Sequence, residues 1–118
     1  MPYDQSLVIG LVGPCAAGKT TLSALLKKRG FQVRQIAQEH SYVKNMWERI
    51  SHPDILIYLD VSYPTTIRRR QLNWTLEEYN IQVERLSHAR QHANLYIHTD
   101  DLKVDEVLQQ ILEFIKFT

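Results

Sequence analysis

An apolar run, Leu7-Val8-Ile9-Gly10-Leu11-Val12, leads straight into Gly13-Pro14-Cys15-Ala16-Ala17-Gly18-Lys19-Thr20, and an amphipathic stretch beginning Thr20-Thr21-Leu22 follows. A buried strand, a glycine-bearing turn and a helix N-terminus are the only elements this order permits. The middle eight residues fit G-x-x-x-x-G-K-[ST], the spacing that wraps backbone N–H groups around phosphate oxygens at the start of a helix. Gly13 allows a sharp turn, and Gly18 lets the backbone approach a phosphate without an intervening Cβ. Lys19 is expected to reach the β- and γ-phosphates, and the Thr20 hydroxyl to hold Mg²⁺. Cys15 occupies a free position of the pattern.

The 118 residues suit one domain, 1–118, with enough chain for a real core. Apolar residues make up 44% and charged residues 23%, the balance of an ordinary globule. A formal charge of +1 leaves no electrostatic footprint for nucleic acid or an anionic membrane, so neither is expected as a partner. Lys27-Lys28-Arg29 falls at the end of the first helix, where the dipole favours cations. No leader is expected in MPYDQS, and no apolar run approaches the roughly 20 residues that span a bilayer. With a single cysteine, Cys15, no intrachain disulfide can form, so a cytoplasmic location is expected.

Strand and helix signals alternate along the chain, which predicts a parallel sheet with helices on both faces. Strands are expected at about 7–12, 31–36, 55–59 and 95–98. The second, FQVRQI, is too polar for the middle of a sheet and is assigned to an edge. The first helix, about 19–29, turns Leu22, Leu25 and Leu26 inward and ends at Gly30. A second helix is expected over 42–50 on the spacing of Val43, Met46, Trp47 and Ile50, stopped by His52-Pro53. A third starts near Pro64 and breaks at Asn73-Trp74. Thr75-Leu76-Glu77-Glu78 is a capping box that restarts it to about 91, with Leu76, Tyr79, Val83 and Leu86 inward. The last, about 104–116, aligns Val104, Val107, Leu108, Ile111, Leu112 and Ile115 as core.

Several residues beyond the phosphate loop carry possible chemistry. Ligands of a parallel sheet bind beyond the carboxyl ends of its strands, so Asp60 and Glu39 are the acids in position, whereas Asp54 opens its strand. Either Glu39 or Asp60 could hold Mg²⁺ or take the acceptor proton. His40 stands beside Glu39. His88 and His92 share a helix face at i, i+4, with no third metal ligand evident nearby. Trp74 is placed either over a base or in the core.

With these pieces in place the chain resembles the P-loop kinases, the family of thymidylate, shikimate, gluconate and adenylyl-sulfate kinases. Beyond the loop itself, Pro53-Asp54-Ile55-Leu56-Ile57-Tyr58-Leu59-Asp60-Val61 looks like the family's "PD…YLDV" strand. Pro64 and Arg68-Arg69-Arg70 fall where its lid helix begins. Leu95-Tyr96-Ile97-His98-Thr99-Asp100 is similar to its last strand and adenine-side loop.

The resemblance implies a P-loop NTPase three-layer α/β sandwich that binds ATP or GTP with Mg²⁺ and transfers a γ-phosphoryl group to a small-molecule acceptor. It implies nucleotide contacts at Gly13, Pro14, Cys15, Ala16, Ala17, Gly18, Lys19, Thr20, Thr21, Arg69 and Thr99. Lys19, Glu39, Asp60 and Arg69 would be catalytic, and Thr20, Glu39 and Asp60 would face the metal. Arg69 matches the lid arginine, with Arg85 and Arg90 weaker alternatives. Family members commonly insert an acceptor-binding segment and an acidic strand between the second and fourth strands. Only about 18 residues stand between strands two and three here. The expected sheet therefore has four strands in the order 2-1-3-4, and a second subunit could complete the short lid between Arg70 and Thr75. A non-catalytic nucleotide-binding module is the alternative. A GTPase switch is disfavoured by the absence of N-K-x-D.

Overall fold

The computed structural model describes residues 6–70 and 73–117. The leader reading of the first residues falls largely outside them, as do Gln71 and Leu72 in the expected lid connection. The protein is an α/β domain built on a four-stranded sheet. The strands are β1 (Val8–Val12), β2 (Gln32–Gln35), β3 (Ile55–Asp60) and β4 (Leu95–His98). All neighbours run parallel, in the order β2-β1-β3-β4. The polar β2 is an edge strand, as its sequence requires, and of its four side chains only Val33 is buried.

Alternation along the strands divides the core in two. Ile9, Leu11, Ile55, Ile57 and Leu59 face α1 (Lys19–Lys28) and α5 (Val104–Lys116), where they meet Leu22, Leu26, Ile111 and Ile115. On the opposite face Val12, Leu56 and Tyr58 pack with Ile36, Trp47, Leu86 and Ala89. The remaining helices are α2 (Tyr63–Arg70), α3 (Leu76–Arg85) and α4 (Ser87–His92). Asp54 anchors the amino ends of the two central strands. Its carboxylate accepts the Val8 N–H at 2.8 Å, and its own N–H donates to the Val8 carbonyl. Among the described residues no helix is long and apolar enough to cross a membrane.

The expected helix over 42–50 does not form. A 3₁₀ turn at Gln38–His40 precedes this span, and at its end a π-helical turn at Trp47–Ser51 stands in place of the helix. Side chains there have captured the backbone groups that a helix would use. The Gln38 amide donates to the Val43 carbonyl at 2.9 Å, and its oxygen accepts the Trp47 N–H at 2.8 Å. Ser41 Oγ accepts the Val43 N–H. Of the four residues in the supposed stripe only Trp47 is buried, while Val43 and Ile50 are exposed.

The capping box at Thr75 is present with both reciprocal bonds, Thr75 Oγ1 accepting from the Glu78 N–H and Glu78 Oε1 from the Thr75 N–H. The helix it starts is not continuous to 91, because α3 ends at Arg85 and α4 follows with Leu86 at the joint. Leu76 is exposed, not inward, and Gln82 is the residue of α3 that is buried. In α5 the apolar stripe is core except for Val104, which is exposed at the first turn.

Two alanine substitutions test this assignment of faces. Ile111→Ala, at a fully buried position, is expected to cost about 2–5 kcal/mol. Ile50→Ala should stay within about 0.5 kcal/mol of the parent, since that side chain leaves the core with the lost helix. Urea unfolding monitored by circular dichroism measures both. A large loss at Ile50 would restore the helix over 42–50.

Candidate functional site

The 13–20 loop leaves β1 with a backbone path that only certain residues tolerate. A Cβ on Gly13 would lie 2.1 Å from the Leu59 carbonyl oxygen, so β3 can pass close only to a glycine. Gly18 has φ +102°, in the left-handed region, and Ala16 follows it there with φ +70°. Gly18 is the N-cap of α1, and no side chain caps that end. A wound loop feeding an uncapped helix start can offer backbone amides to an anion.

Lys19 folds back over this loop. Its ammonium donates to the carbonyls of Gly13 and Pro14 and to Glu39 Oε2, the last at 2.5 Å. Both side chains of the pair are about nine-tenths buried. Glu39 Oε1 is buried too, with no hydrogen-bond donor among the described residues. Glu39 is held by its neighbours on the chain. Gln38, fully buried, donates to the Arg85 carbonyl as well as to Val43. Arg85 in turn donates to the Glu39 carbonyl at 3.4 Å and lies over the Tyr42 ring. The turn after β2 is thereby stapled to α3. Thr20 Oγ1 donates to Gln35 Oε1 at 2.8 Å, joining the first turn of α1 to the end of β2.

Arg69 closes the other side. From the last turn of α2 it donates to the Ala16 carbonyl at 3.2 Å, to Thr99 Oγ1 at 2.9 Å and to the Thr99 carbonyl. Thr99 is buried and donates to the Asp60 carbonyl through both its N–H and its hydroxyl. Between these groups opens a cavity of about 660 Å³. Cys15 to Thr21 form its floor. Gln35, Glu39, His40, Arg69 and Thr99 also line it, as does the stretch from Leu102 to Val107, where Lys103 stands among apolar side chains. The structure thus brings together Lys19, Thr20, Thr21, Glu39, Arg69 and Thr99.

Asp60 is not among the described residues lining this cavity. Its carboxylate accepts from the Val61 N–H at 2.9 Å and from the Tyr96 hydroxyl, with His98 Nδ1 3.9 Å away. The reason is strand alternation: Asp60 shares a side of β3 with Tyr58, opposite the side that faces α1. Arg90 lies over the Tyr96 ring, away from the loop. Trp74 joins α2 to α3, its indole donating to Thr66 Oγ1 and its carbonyl accepting from Tyr63. The His88 and His92 rings stack at 4.2 Å, and His88 Nδ1 accepts from the Trp47 indole, so this pair serves packing.

Gln82 is a functional-site residue that the sequence reading misses. From α3 its side chain clamps Cys15, accepting the backbone N–H at 3.0 Å and donating to Sγ at 3.2 Å. Its spacing, three residues after Tyr79 and four before Leu86, puts it on the inward face of the helix, and only its polarity hid it. Comparison with known proteins finds no matching family model and no matching curated protein.

Two expected outcomes follow from the buried groups. Removing one partner of the Lys19–Glu39 pair strands the other charge, so Lys19→Met or Glu39→Gln alone should each cost about 3–5 kcal/mol. The double variant should lose less than the sum of the two, and a double-mutant cycle by urea unfolding reads the coupling. Additive losses would mean that the two charges do not interact.

The second concerns alkaline pH. Burial, aided by the hydrogen bond to the Asp60 carboxylate and its charge, pushes the Tyr96 hydroxyl up to about 12. Burial and then Asp60 raise Tyr58 and Tyr79 as well. Above about pH 10 the unfolded tyrosines release protons that the folded ones retain, so stability falls as pH rises from about 10 to 12. Tyr96→Phe should make that fall shallower in melting temperatures taken across the range. An unchanged slope would remove Tyr96 from the effect.

Proposed function

We propose that this protein binds a magnesium nucleoside triphosphate on the 13–20 loop and transfers its γ-phosphoryl group to a small-molecule acceptor, as P-loop kinases do. The observation that carries the reading is the buried Lys19 ammonium above the uncapped start of α1, held between loop carbonyls and Glu39 at the floor of a 660 Å³ cavity. An unliganded lysine of this kind is already oriented, and triphosphate oxygens can replace the Glu39 carboxylate as its partner. The loop amides would meet the same phosphates.

Phosphoryl transfer asks a protein mainly for positioning and charge neutralisation. Thr20 Oγ1 and the Glu39 carboxylate, both at the cavity, fit a Mg²⁺ site, with the unpartnered Glu39 oxygen free to accept from a metal-bound water. The ion would supply neutralisation of phosphate charge. Once Lys19 turns to phosphate, Glu39 is also free to receive the acceptor's proton. Arg69 brings a delocalised cation between the loop and Thr99 and can fork onto phosphate. Leu102, Val104 and Val107, which line the cavity beside Lys103, offer apolar surface that suits a nucleobase. A non-catalytic nucleotide-binding module is favoured by one observation: between β2 and β3 the chain forms only two short turns, with no segment enclosing an acceptor.

Calorimetry with MgATP and MgGTP tests binding. Affinity should fall at least about tenfold in Lys19→Ala, for loss of a charge-assisted contact worth roughly 1.5–3 kcal/mol. Arg69→Ala should weaken binding more than Arg85→Ala, since only Arg69 lines the cavity. Equal affinity in parent and Lys19→Ala would overturn the nucleotide site. A mass-resolved screen of metabolites with MgATP then reads turnover, which Glu39→Gln should abolish while nucleotide affinity stays within a few-fold. Binding without any phosphorylated product would select the non-catalytic reading.

A further inference from the structure

Cys15, Glu39 and His40 come from two separate loops, yet each offers a ligand atom within 4.8 Å of the others. We propose that they form a site for a zinc-class transition-metal ion at the wall of the cavity, one that shares Glu39 with the magnesium site proposed above and fills in the absence of nucleotide. The donor set decides the class. Thiolate sulfur and imidazole nitrogen suit zinc and its neighbours, whereas magnesium takes oxygen ligands and keeps its waters.

The strongest sign of a cation site is Glu39. Its carboxylate is buried, Oε2 is taken by Lys19, and Oε1 has no donor among the described residues. A buried acceptor left unpaired is costly, and a metal ion at Oε1 would satisfy it. The sulfur is also prepared. Gln82 holds Cys15 at both its N–H and its Sγ, the kind of outer contact that fixes a ligand's direction. His40 supplies the mobile ligand: its side chain is 61% exposed, and its Nε2 stands 3.9 Å from Glu39 Oε2. A small rotation of an exposed ring closes the set without disturbing the core.

On binding, a sulfur–metal bond forms, the S–H bond breaks, and the proton leaves to solvent. Three protein ligands leave the fourth tetrahedral position open, towards water or an anion in the cavity. With the ion bound, thiolate, carboxylate and the Lys19 ammonium leave the cluster one net positive charge, which suits an anion at the open position.

Cobalt(II) titration of the full chain without nucleotide tests the site, because cobalt substitutes for zinc and reports its ligands by absorption. One equivalent should bind with tetrahedral visible bands and a near-ultraviolet thiolate-to-metal charge-transfer band, and zinc should displace it. Cys15→Ser should abolish the charge-transfer band. His40→Ala, at an exposed ring that folding does not need, should weaken binding at least about tenfold, by comparison with the 10–100-fold typical of losing only an outer-shell contact. His88→Ala/His92→Ala should leave both band and affinity unchanged. The proposal fails if the charge-transfer band is absent, if His40→Ala binds as tightly as the parent, or if the His88/His92 variant loses the ion. Since no nucleotide is present, a chain that binds no ATP can still pass, and a chain that binds ATP can still fail.

Discussion

A buried ion pair between Lys19 and Glu39 organises the carboxyl end of the sheet. Lys19 belongs to the first turn of α1, and Glu39 to the short turn after β2, so the contact ties the edge strand to the loop that leaves the central one. Desolvating two charges is expensive, and the pair is sustained by the carbonyls of Gly13 and Pro14 on one side and by the stapled turn on the other. Its second carboxylate oxygen remains unsatisfied among the described residues. Such a site is poised for exchange, because an incoming anion can take the ammonium and an incoming cation the carboxylate.

Around this pair the rest of the site is built from polar side chains that bridge elements. Arg69 links α2 to the loop and to Thr99, Gln82 links α3 to Cys15, and Gln38 links the turn after β2 to α3. Each bridging side chain satisfies backbone groups that irregular segments cannot pair among themselves. The loops are therefore braced from three directions, which is what allows Ala16 to persist at φ +70°. The cavity is a consequence of that bracing.

Much of the fold was legible in the chain. The apolar runs of β1 and β3, the polarity of β2 and the capping box at Thr75 reported their own environments, and the order 2-1-3-4 expected from the resemblance less one strand is the order found. The helix expected over 42–50 misled because its apolar spacing was real but its backbone partners were not. Gln38 and Ser41 compete for the same hydrogen bonds, and periodicity carries no record of such competition. Leu76 misled for a different reason: it is the first residue of α3 and stands clear of the core, while Tyr79 and Val83 are half-buried and Leu86 is buried.

What the sequence determined by itself is the loop. Gly18 answers to a local constraint, the left-handed turn into α1, while Gly13 leaves the room that a close pass by Leu59 of β3 later requires. Between Glu39 and Asp60 the sequence leaned to Glu39, on the seat its strand takes in the sheet, but could not say which acid touches Lys19, because both stand at the carboxyl ends of strands. Tertiary structure decided it. Strand alternation sends Asp60 to the Tyr58 and Tyr96 side, while the turn after β2 brings Glu39 back to Lys19, twenty residues earlier in the chain. Which acid meets the lysine depends on the packing of one edge strand against its neighbour, and that contact exists only once the sheet has assembled.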